Sequence, residues 1–322
     1  MIRLLRRSLP ALVLAGALAC FINSARAAER LQIAVVPKGS THAFWKGVEA
    51  GARKAGAEED VAIIWKGPMK EDDRAQQISV VQQFVASKVS AIVLAPLDAT
   101  ALAGPVRSAT TAGIPVVIID SALRAEVGRD FVSLVATDNF RGGETGGEEL
   151  ARRLGGKGKV VLLRCLEGSA STDERESGFL AAIARHPGIE VTVKNRYGGA
   201  TVSQAQDTAL NLIDRLREAD GIFCPNESTT QGMLLALRQT GLAGKKTFVG
   251  FDTSSALLQA LRRGEIQGLV AQNPSRMGYL GVKVAVAQLR GQKVEPRVDT
   301  GCALVTLETI DTPETKAILA SP

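Results

Sequence analysis

Residues 91–120 read AIVLAPLDATALAGPVRSATTAGIPVVIID, and this stretch decides the fold. Two near-continuous apolar runs, 91–95 and 115–120, flank a segment at 100–112 in which apolar residues recur every three or four positions. Runs rich in Val and Ile are typical of strands buried on both faces of a parallel sheet, and the spacing between them predicts an amphipathic helix. The stretch is therefore one β-α-β unit, in which a right-handed crossover places the helix on one face of the sheet.

The same alternation extends to both sides of this unit. Apolar runs at 31–36 and 61–65 precede it, with helical spacing at 43–57 and 72–88. After residue 140 the pattern restarts, with predicted strands at 159–164, 190–194, 221–224, 247–251 and 268–272 and predicted helices at 142–154, 174–185, 203–218, 228–240, 254–263 and 276–290. A chain of 322 residues is longer than one core usually supports, so we predict two consecutive doubly wound α/β units. The join at 133–139 has no flexible composition and indicates a short hinge strand.

The first residues have the pattern of a secretion signal. Three arginines among the first seven residues precede an uncharged apolar run at 9–22, and a small-x-small cleavage site follows at 25–27. The apolar run is shorter than the roughly 20 residues that a membrane-spanning helix needs. We therefore predict a signal peptide at 1–27 and export to the periplasm. Lipid attachment at Cys20 is the alternative, but the residues before it match that signal poorly.

Charge and cysteine content narrow the class of protein further. The formal charge is +6, and loss of the four arginines in 1–27, which hold no acidic residue, lowers it to +2. A chain this close to neutral has no basic footprint for nucleic acid. The three remaining cysteines, Cys165, Cys224 and Cys302, match neither a metal spacing nor a disulfide framework. We interpret them as buried small side chains, leaving a Cys165–Cys224 bridge open, and we predict no metal and no cofactor.

Polar side chains follow nearly every predicted strand at one edge of each sheet. In open parallel sheets, ligands bind outside the carboxyl ends of the strands, where the strand order reverses. Taken singly, each such residue is also a common turn or capping residue. The residues at these strand ends are Lys38, Asp98, Asp120, residues 169–173, Asn226, Glu227, Asp252, Gln272 and Asn273.

This set of side chains favours a small neutral polyhydroxylated ligand. Each hydroxyl of such a ligand can donate to a carboxylate and accept from an amide or an ammonium group. Phe44 and Trp45, beside the first strand, offer aromatic planes for the apolar face of a sugar ring. Motifs of serine hydrolases, zinc proteases and phosphate-binding loops do not occur in the sequence, so no residue is nominated for catalysis.

Seven short segments between residues 31 and 305 resemble the ribose-binding class of periplasmic binding proteins, whose fold is shared by the effector domains of lactose-repressor-type regulators. No helix-turn-helix segment precedes the first strand, and this favours the binding protein. The segments are THAFW (41–45), VIID (117–120), ATDN (136–139), SASTDERESGF (169–179), PNES (225–228), VGFD (249–252) and AQNP (271–274).

The resemblance implies a type I periplasmic binding protein of α/β class, with two doubly wound parallel-sheet lobes and a three-crossover hinge. The implied crossovers lie near 135–139, 272–275 and 298–303, and the implied lobes are 28–137 plus 273–301 and 138–272 plus 302–322. It also implies a monomeric component of an ABC importer, which closes on a small sugar or polyol and delivers it to a permease at the inner membrane. A chemoreceptor is an alternative membrane partner.

Two departures from the ribose binders bear on the ligand. Those proteins carry an arginine where this chain has Ser121 and another where it has Asp173, so the resemblance does not favour ribose. Lys38 with Asp120, Asp173 and Pro225 is instead similar to the binding protein for a furanose autoinducer. A furanosyl signalling molecule is therefore one alternative ligand, and a sugar-processing enzyme on the same scaffold is a second alternative. The predicted ligand-binding residues are Lys38, His42, Phe44, Trp45, Asp120, Ser121, Asp173, Asn226, Glu227, Asp252 and Gln272.

Overall fold

A computed structural model describes residues 30–319 of the chain. The predicted signal peptide, its cleavage site and Cys20 lie outside these residues. Within the described part, no helix is both long enough and apolar enough to cross a membrane.

The strands form where the sequence has its Val- and Ile-rich runs, and most of their residues are buried. In chain order they are Gln32–Val36 (β1), Ala62–Trp65 (β2), Ala91–Leu94 (β3), Val116–Ile119 (β4), Ser133–Ala136 (β5), Lys157–Arg164 (β6), Gly188–Tyr197 (β7), Gly221–Phe223 (β8), Thr247–Phe251 (β9), Gly268–Gln272 (β10), Arg297–Asp299 (β11) and Cys302–Val305 (β12).

The helices connect the strands, and several begin at a side chain that caps their first amides. Asp73, Asn226 and Asn273 each accept a hydrogen bond from the third residue beyond them, which satisfies an amide that the helix itself leaves unpaired. The helices are Ala43–Glu58 (α1), Arg74–Ala86 (α2), Ala103–Thr111 (α3), Asn139–Arg153 (α4), Ala170–Ile183 (α5), Val202–Asn211 (α6), Ile213–Glu218 (α7), Glu227–Gln239 (α8), Ser255–Arg262 (α9), Pro274–Leu289 (α10) and Pro313–Leu319 (α11).

Two six-stranded sheets organise the molecule. The first has the order β11-β5-β4-β3-β1-β2 and the second the order β12-β10-β9-β8-β6-β7. In both sheets the strand order therefore reverses beside the first strand, between β1 and β3 and between β6 and β8. We call each sheet with the helices packed on it a lobe, the first lobe containing β1 and the second containing β6.

The predicted fold class, two doubly wound α/β lobes, is confirmed, with two local corrections. The second sheet is not wholly parallel, because the edge strand β12 pairs antiparallel with β10. The helix predicted over 203–218 is two helices, which meet at Leu212. The helix α11 was not predicted.

The chain passes between the sheets three times: after β5, after β10 and between β11 and β12. One buried polar side chain from each passage joins a shared cluster. Thr137 Oγ1 donates to Gln272 Oε1 at 2.9 Å and lies 3.3 Å from Thr300 Oγ1. The passages are therefore hydrogen-bonded to one another. The assignment of whole chain segments to lobes remains a prediction.

The core of the first sheet depends on a helix from late in the chain. Met277 and Val282 of α10 lie in one apolar cluster with Ile33 of β1, Val93 of β3 and Val117 of β4. One face of the first sheet is thus covered by α1 together with α10, and α10 follows the entire second sheet except β12 in sequence.

Glycines allow two pairs of helices to cross at backbone contact. A Cβ at Gly51 of α1 would lie 1.8 Å from a backbone oxygen of α10, and a Cβ at Gly278 of α10 would lie 2.0 Å from a backbone oxygen of α1. In the second lobe, α4 and α5 meet through Gly143 and Gly178, where the corresponding distances are both 2.0 Å. The close approach requires glycine at these positions, because real Cβ contacts do not reach such distances.

Candidate functional site

The carboxyl ends of the two sheets meet at one cavity. Residues of both lobes line it, as the strand-end rule for doubly wound sheets predicts. The lining residues are Lys38, His42, Phe44, Trp45, Glu71, Asp120, Ser171, Thr172, Arg175, Asn226, Glu227, Asp252 and Gln272.

Asp120 and Asp252 occupy equivalent places in the two lobes. Each follows the corresponding strand of its sheet, β4 or β9, and each donates its amide to the next strand, at Val135 O (3.1 Å) or Val270 O (2.9 Å). Both have the left-handed backbone conformation, with φ of 64° and 70°. For a residue with a Cβ this conformation costs about 1 kcal/mol or more, and such strain is concentrated at functional sites.

Lys38 joins the first-lobe carboxylate to the second lobe. Its Nζ lies 2.7 Å from Asp120 Oδ2 and donates to Ser171 Oγ at 2.9 Å. Ser171 belongs to the first turn of α5 in the other lobe. The lysine is only 3% exposed, so it is a buried, paired cation and not a solvent-exposed loop residue.

His42, Glu71 and Trp45 form a polar cluster in the wall of the first lobe. Glu71 Oε1 lies 3.0 Å from His42 Nδ1 and accepts from Trp45 Nε1 at 2.5 Å. Burial opposes ionisation of His42, but the hydrogen bond and charge of Glu71 outweigh it and raise the pKa of His42 to about 9. Burial likewise opposes ionisation of Glu71, yet His42 and Lys38 hold the pKa of Glu71 down to about 2. The pair is therefore an imidazolium and a carboxylate at neutral pH, and it fixes the indole of Trp45.

The raised pKa of His42 predicts a pH-dependent stability. The histidine of the unfolded chain titrates near 6.5, so the ion pair stabilises the folded state fully below that pH and loses its contribution as the pH rises to about 9. We expect the free energy of unfolding to fall by on the order of 3 kcal/mol over this interval. Urea denaturation at a series of pH values measures it. Below about pH 8, where the thiols of the unfolded chain are still protonated, the decline should be much smaller in His42→Gln than in the wild type and should be retained in His186→Gln, which removes the other histidine.

Arg175 lies in the wall of the second lobe and has an unused donor. Its Nε donates to Asn139 Oδ1 at 2.9 Å and its Nη1 to Pro225 O at 3.0 Å. The guanidinium carbon lies 4.1 Å from the centre of the Phe251 ring. Nη2 is buried and has no hydrogen-bond partner within the part of the chain that the structure describes. A buried guanidinium donor of this kind, fixed on two sides, is poised to bond an oxygen of a ligand.

Asp252 is held by groups of its own lobe. Its Oδ1 accepts from Gln272 Nε2 at 2.7 Å, and its Oδ2 accepts from the Glu227 amide at 2.8 Å. Burial raises the pKa of Asp252 to about 6, although Arg175 and the Gln272 hydrogen bond act in the opposite direction. Gln272 in turn accepts from Thr137, so the cavity carboxylate is connected to the cluster at the three crossings.

Asn226 and Glu227 line the cavity and also serve helix ends. Asn226 Oδ1 accepts from the Thr229 amide at 3.2 Å and caps α8. The two carboxylate oxygens of Glu227 accept from the amides of Ala43 and Phe44, at 3.0 and 2.9 Å. Asn226 is therefore both a helix-capping residue and a part of the cavity wall.

Nine of the eleven predicted residues line the cavity, and two do not. Ser121 is fully buried beneath it, where its Oγ accepts from the Ser171 amide at 3.0 Å. Asp173 is half-exposed and lies 3.3 Å from Arg164, outside the cavity. Neither of the two positions, 121 and 173, carries an arginine, but Arg175, two residues further along α5, supplies a guanidinium to the cavity.

Four lining residues were not among those predicted: Glu71, Ser171, Thr172 and Arg175. The serine and threonine belong to the segment 169–173 that the strand-end rule had indicated, and they lie in the first turn of α5. Glu71 lies in the loop between β2 and α2, at the same edge of the first sheet, so the same rule applied to β2 would have drawn attention to its loop.

The cysteines do not contribute to the cavity. Cys165 and Cys224 are buried free thiols, and burial raises the pKa of both. Cys302 is also free. Among residues 30–319, no three histidine, cysteine or acidic side chains are grouped in a way that could hold a metal ion.

Comparison with known proteins places the chain among sugar-binding proteins. The sequence profile of the periplasmic binding protein domain matches residues 33–293. The ribose import binding protein of Salmonella typhimurium is 28% identical over 303 residues, which cover 93% of this chain and 98% of that protein. Each of these matches extends over both lobes.

Two solved structures are similar at somewhat higher identity. A carbohydrate transporter solute binding protein from Agrobacterium radiobacter, in complex with D-arabinose, has a TM-score of 0.86 and 34% identity, covering 90% of this chain and 99% of its own. An ABC transporter solute binding protein from Agrobacterium vitis, with bound D-fucose, has a TM-score of 0.85 and 33% identity, covering 88% of this chain and 98% of its own.

Proposed function

Because the chain belongs to the periplasmic binding protein family, we propose that it is the substrate-binding component of an ABC importer and binds a small neutral sugar or polyol between its lobes. The observation that carries the proposal is the convergence of strand-end side chains from both sheets on one cavity. The protein acts in the periplasm as a monomer and delivers its ligand to an inner-membrane permease. The resemblance that the sequence motifs indicate is confirmed by the family match.

The charges in the cavity favour a neutral ligand over an anionic one. Three cationic and four acidic side chains line it, and the first-lobe cations each lie within 3.0 Å of a carboxylate. The second-lobe carboxylates accept hydrogen bonds from amides. Because the acidic side chains outnumber the cationic ones by one, an anionic ligand would add to an excess of negative charge in a buried site, which is strongly unfavourable. Hydroxyl groups can bond the same side chains without changing the charge balance.

Monosaccharides are the proposed ligand class. The cavity combines oriented polar groups with two aromatic rings, Phe44 and Trp45, which meet edge to face at a centroid distance of 4.9 Å. This combination suits a sugar ring, which has an apolar face and a polar rim. Similar proteins are named for ribose or were solved with D-arabinose and D-fucose. The furanosyl alternative has less support, since Asp173 lies outside the cavity.

Thermal-shift measurements with the purified mature protein test the proposal. We expect at least one pentose, hexose or polyol of a panel containing D-arabinose, D-fucose, D-ribose, D-allose and xylitol to raise the melting temperature, because a ligand of the native state stabilises it. A panel without any stabilising sugar would contradict the proposal. Recovery of the sugar unchanged after stoichiometric incubation distinguishes binding from the enzymatic alternative.

Neutralising either cavity aspartate should weaken sugar binding about ten- to a hundredfold, since each loses a charge-assisted hydrogen bond. Asp120→Asn and Asp252→Asn are suitable variants, because asparagine tolerates the left-handed backbone at both positions. Titration calorimetry measures the dissociation constant. The matched control is Asp220→Asn, which changes an aspartate just before β8, at the opposite edge of the second sheet from the cavity, where it accepts the Lys159 amide at 2.8 Å. Equal affinities of all three variants and the wild type would remove both aspartates from the site.

A further inference from the structure

Glu227 connects the two lobes directly. It belongs to the first turn of α8 in the second lobe, yet its carboxylate oxygens accept the amides of Ala43 and Phe44, the first two residues of α1 in the first lobe. The glutamate is buried. These two bonds cross the cleft without any ligand between them.

The helix that receives this carboxylate has no cap of its own. His42 stands at the N-cap position of α1 but makes no side-chain capping bond, and the first turn of α1 contains no acidic residue. The first amides of a helix have no partner within it, and the positive end of the helix dipole favours an anion there. Glu227 therefore supplies from the opposite lobe what α1 lacks locally.

The same glutamate is tied to the ligand cavity. Its backbone amide donates to Asp252 Oδ2 at 2.8 Å, and Asp252 lines the cavity and bonds Gln272 at the second crossing. A ligand that orders Asp252 would also order the residue that caps α1. When the lobes separate, the amides of Ala43 and Phe44 and the carboxylate of Glu227 lose their hydrogen bonds to each other and bond water instead.

We propose that Glu227 is a positioning residue for lobe closure, which caps α1 across the cleft and shifts the ligand-free protein toward its closed form. This role deepens the proposed function and rests on it, since closure retains the sugar. It acts by population shift: the carboxylate bonds these amides only when the lobes are together, so it stabilises that state selectively. The lining position of Glu227 follows from this role and does not require a bond to the sugar.

Comparison of Glu227→Ala with Glu227→Gln tests the proposal, first without any sugar. In ligand-free protein, small-angle X-ray scattering should give a larger radius of gyration for the alanine variant than for the wild type. Hydrogen exchange should be faster in the peptide that contains Ala43 and Phe44. Glutamine retains one acceptor oxygen and should give intermediate values. With a stabilising sugar, the alanine variant should release it about ten- to a hundredfold faster, the range expected for charge-assisted bonds.

Asp73→Ala is the matched control. Asp73 caps α2 from within the same lobe, by accepting the Gln76 amide at 2.9 Å, so its replacement lowers stability without removing a bond between the lobes. It should leave the ligand-free radius of gyration unchanged. Ligand-free scattering and exchange of Glu227→Ala that equal those of the wild type would overturn the proposal, even if sugar affinity fell. Changed ligand-free values with no sugar bound by any variant would instead retain the closure role and count against the proposed function.

Discussion

Replacing Arg175 with alanine is expected to reduce the affinity for the bound sugar by more than about a hundredfold. Arg175 is 2% exposed, and its Nη2 has no hydrogen-bond partner among the described residues while Nε and Nη1 are fixed. A donor that is desolvated and already oriented loses little hydration and little conformational entropy on binding, so its bond to a sugar oxygen contributes strongly to the affinity. Loss of the donor and of two supporting bonds corresponds to about 3 kcal/mol or more.

Titration calorimetry on three variants distinguishes this role from a general effect on the fold. Arg175→Lys retains the positive charge beside Asp252 but lacks the planar fork, so it should also bind weakly. Arg185→Ala removes a guanidinium of the same lobe that pairs with Glu144 and Glu148 away from the cavity, and its affinity should equal that of the wild type. An unchanged dissociation constant for Arg175→Ala would exclude the arginine from ligand binding.

Gly143→Ala is expected to destabilise the protein by about 3 kcal/mol or more. The added Cβ would lie 2.0 Å from the backbone oxygen of Arg175, where neither helix backbone can yield by a side-chain rotation. The helices α4 and α5 must move apart, which costs packing energy along their whole contact. Since α5 carries Arg175, the displacement also moves the guanidinium. Chemical denaturation and sugar titration should therefore both report the substitution.

Gly104→Ala is the control for the intrinsic effect of the substitution. Gly104 is an exposed residue of α3, and a Cβ there has no heavy atom within 4 Å. Alanine there should change the free energy of unfolding by less than about 1 kcal/mol, because Gly104 lies in the first turn of α3 and its position before Pro105 offsets the higher helix propensity of alanine. If Gly143→Ala behaved like Gly104→Ala, the close contact between α4 and α5 would have no energetic importance.

The fold could be predicted from the sequence where burial is strong. The strands β1, β3, β4 and β9 lie within a residue or two of the apolar runs, because a strand covered on both faces must be apolar at every position. Short edge strands such as Arg297–Asp299 carry no such run. Their conformation follows from pairing with a neighbour that is distant in sequence, as β11 pairs with β5. The local sequence pattern does not indicate such a pairing.

The candidate site could be predicted wherever a side chain directly follows a strand. Asp120, Asp252 and Gln272 are of this kind, since the end of a strand fixes their position. On α5 the prediction selected Asp173 in place of Arg175. Residues two apart in a helix are rotated by about 200° around the helix axis. A displacement of two positions therefore exchanges a cavity residue for an outward-facing one. Glu71 was missed because the position of a residue within an irregular loop has no periodic signal.

The late arrival of α10 and β11 at the first sheet has a consequence for biosynthesis. A nascent chain that has reached residue 272 already contains ten of the twelve strands of the two sheets, but one apolar face of the first sheet still lacks Met277 and Val282, and the edge of β5 still lacks β11. An exposed apolar face and an open edge favour aggregation. The first lobe is therefore translated first, yet a long further stretch of chain must be made before its core is complete. Keeping the nascent chain unfolded until its end has emerged would protect this lobe from aggregation.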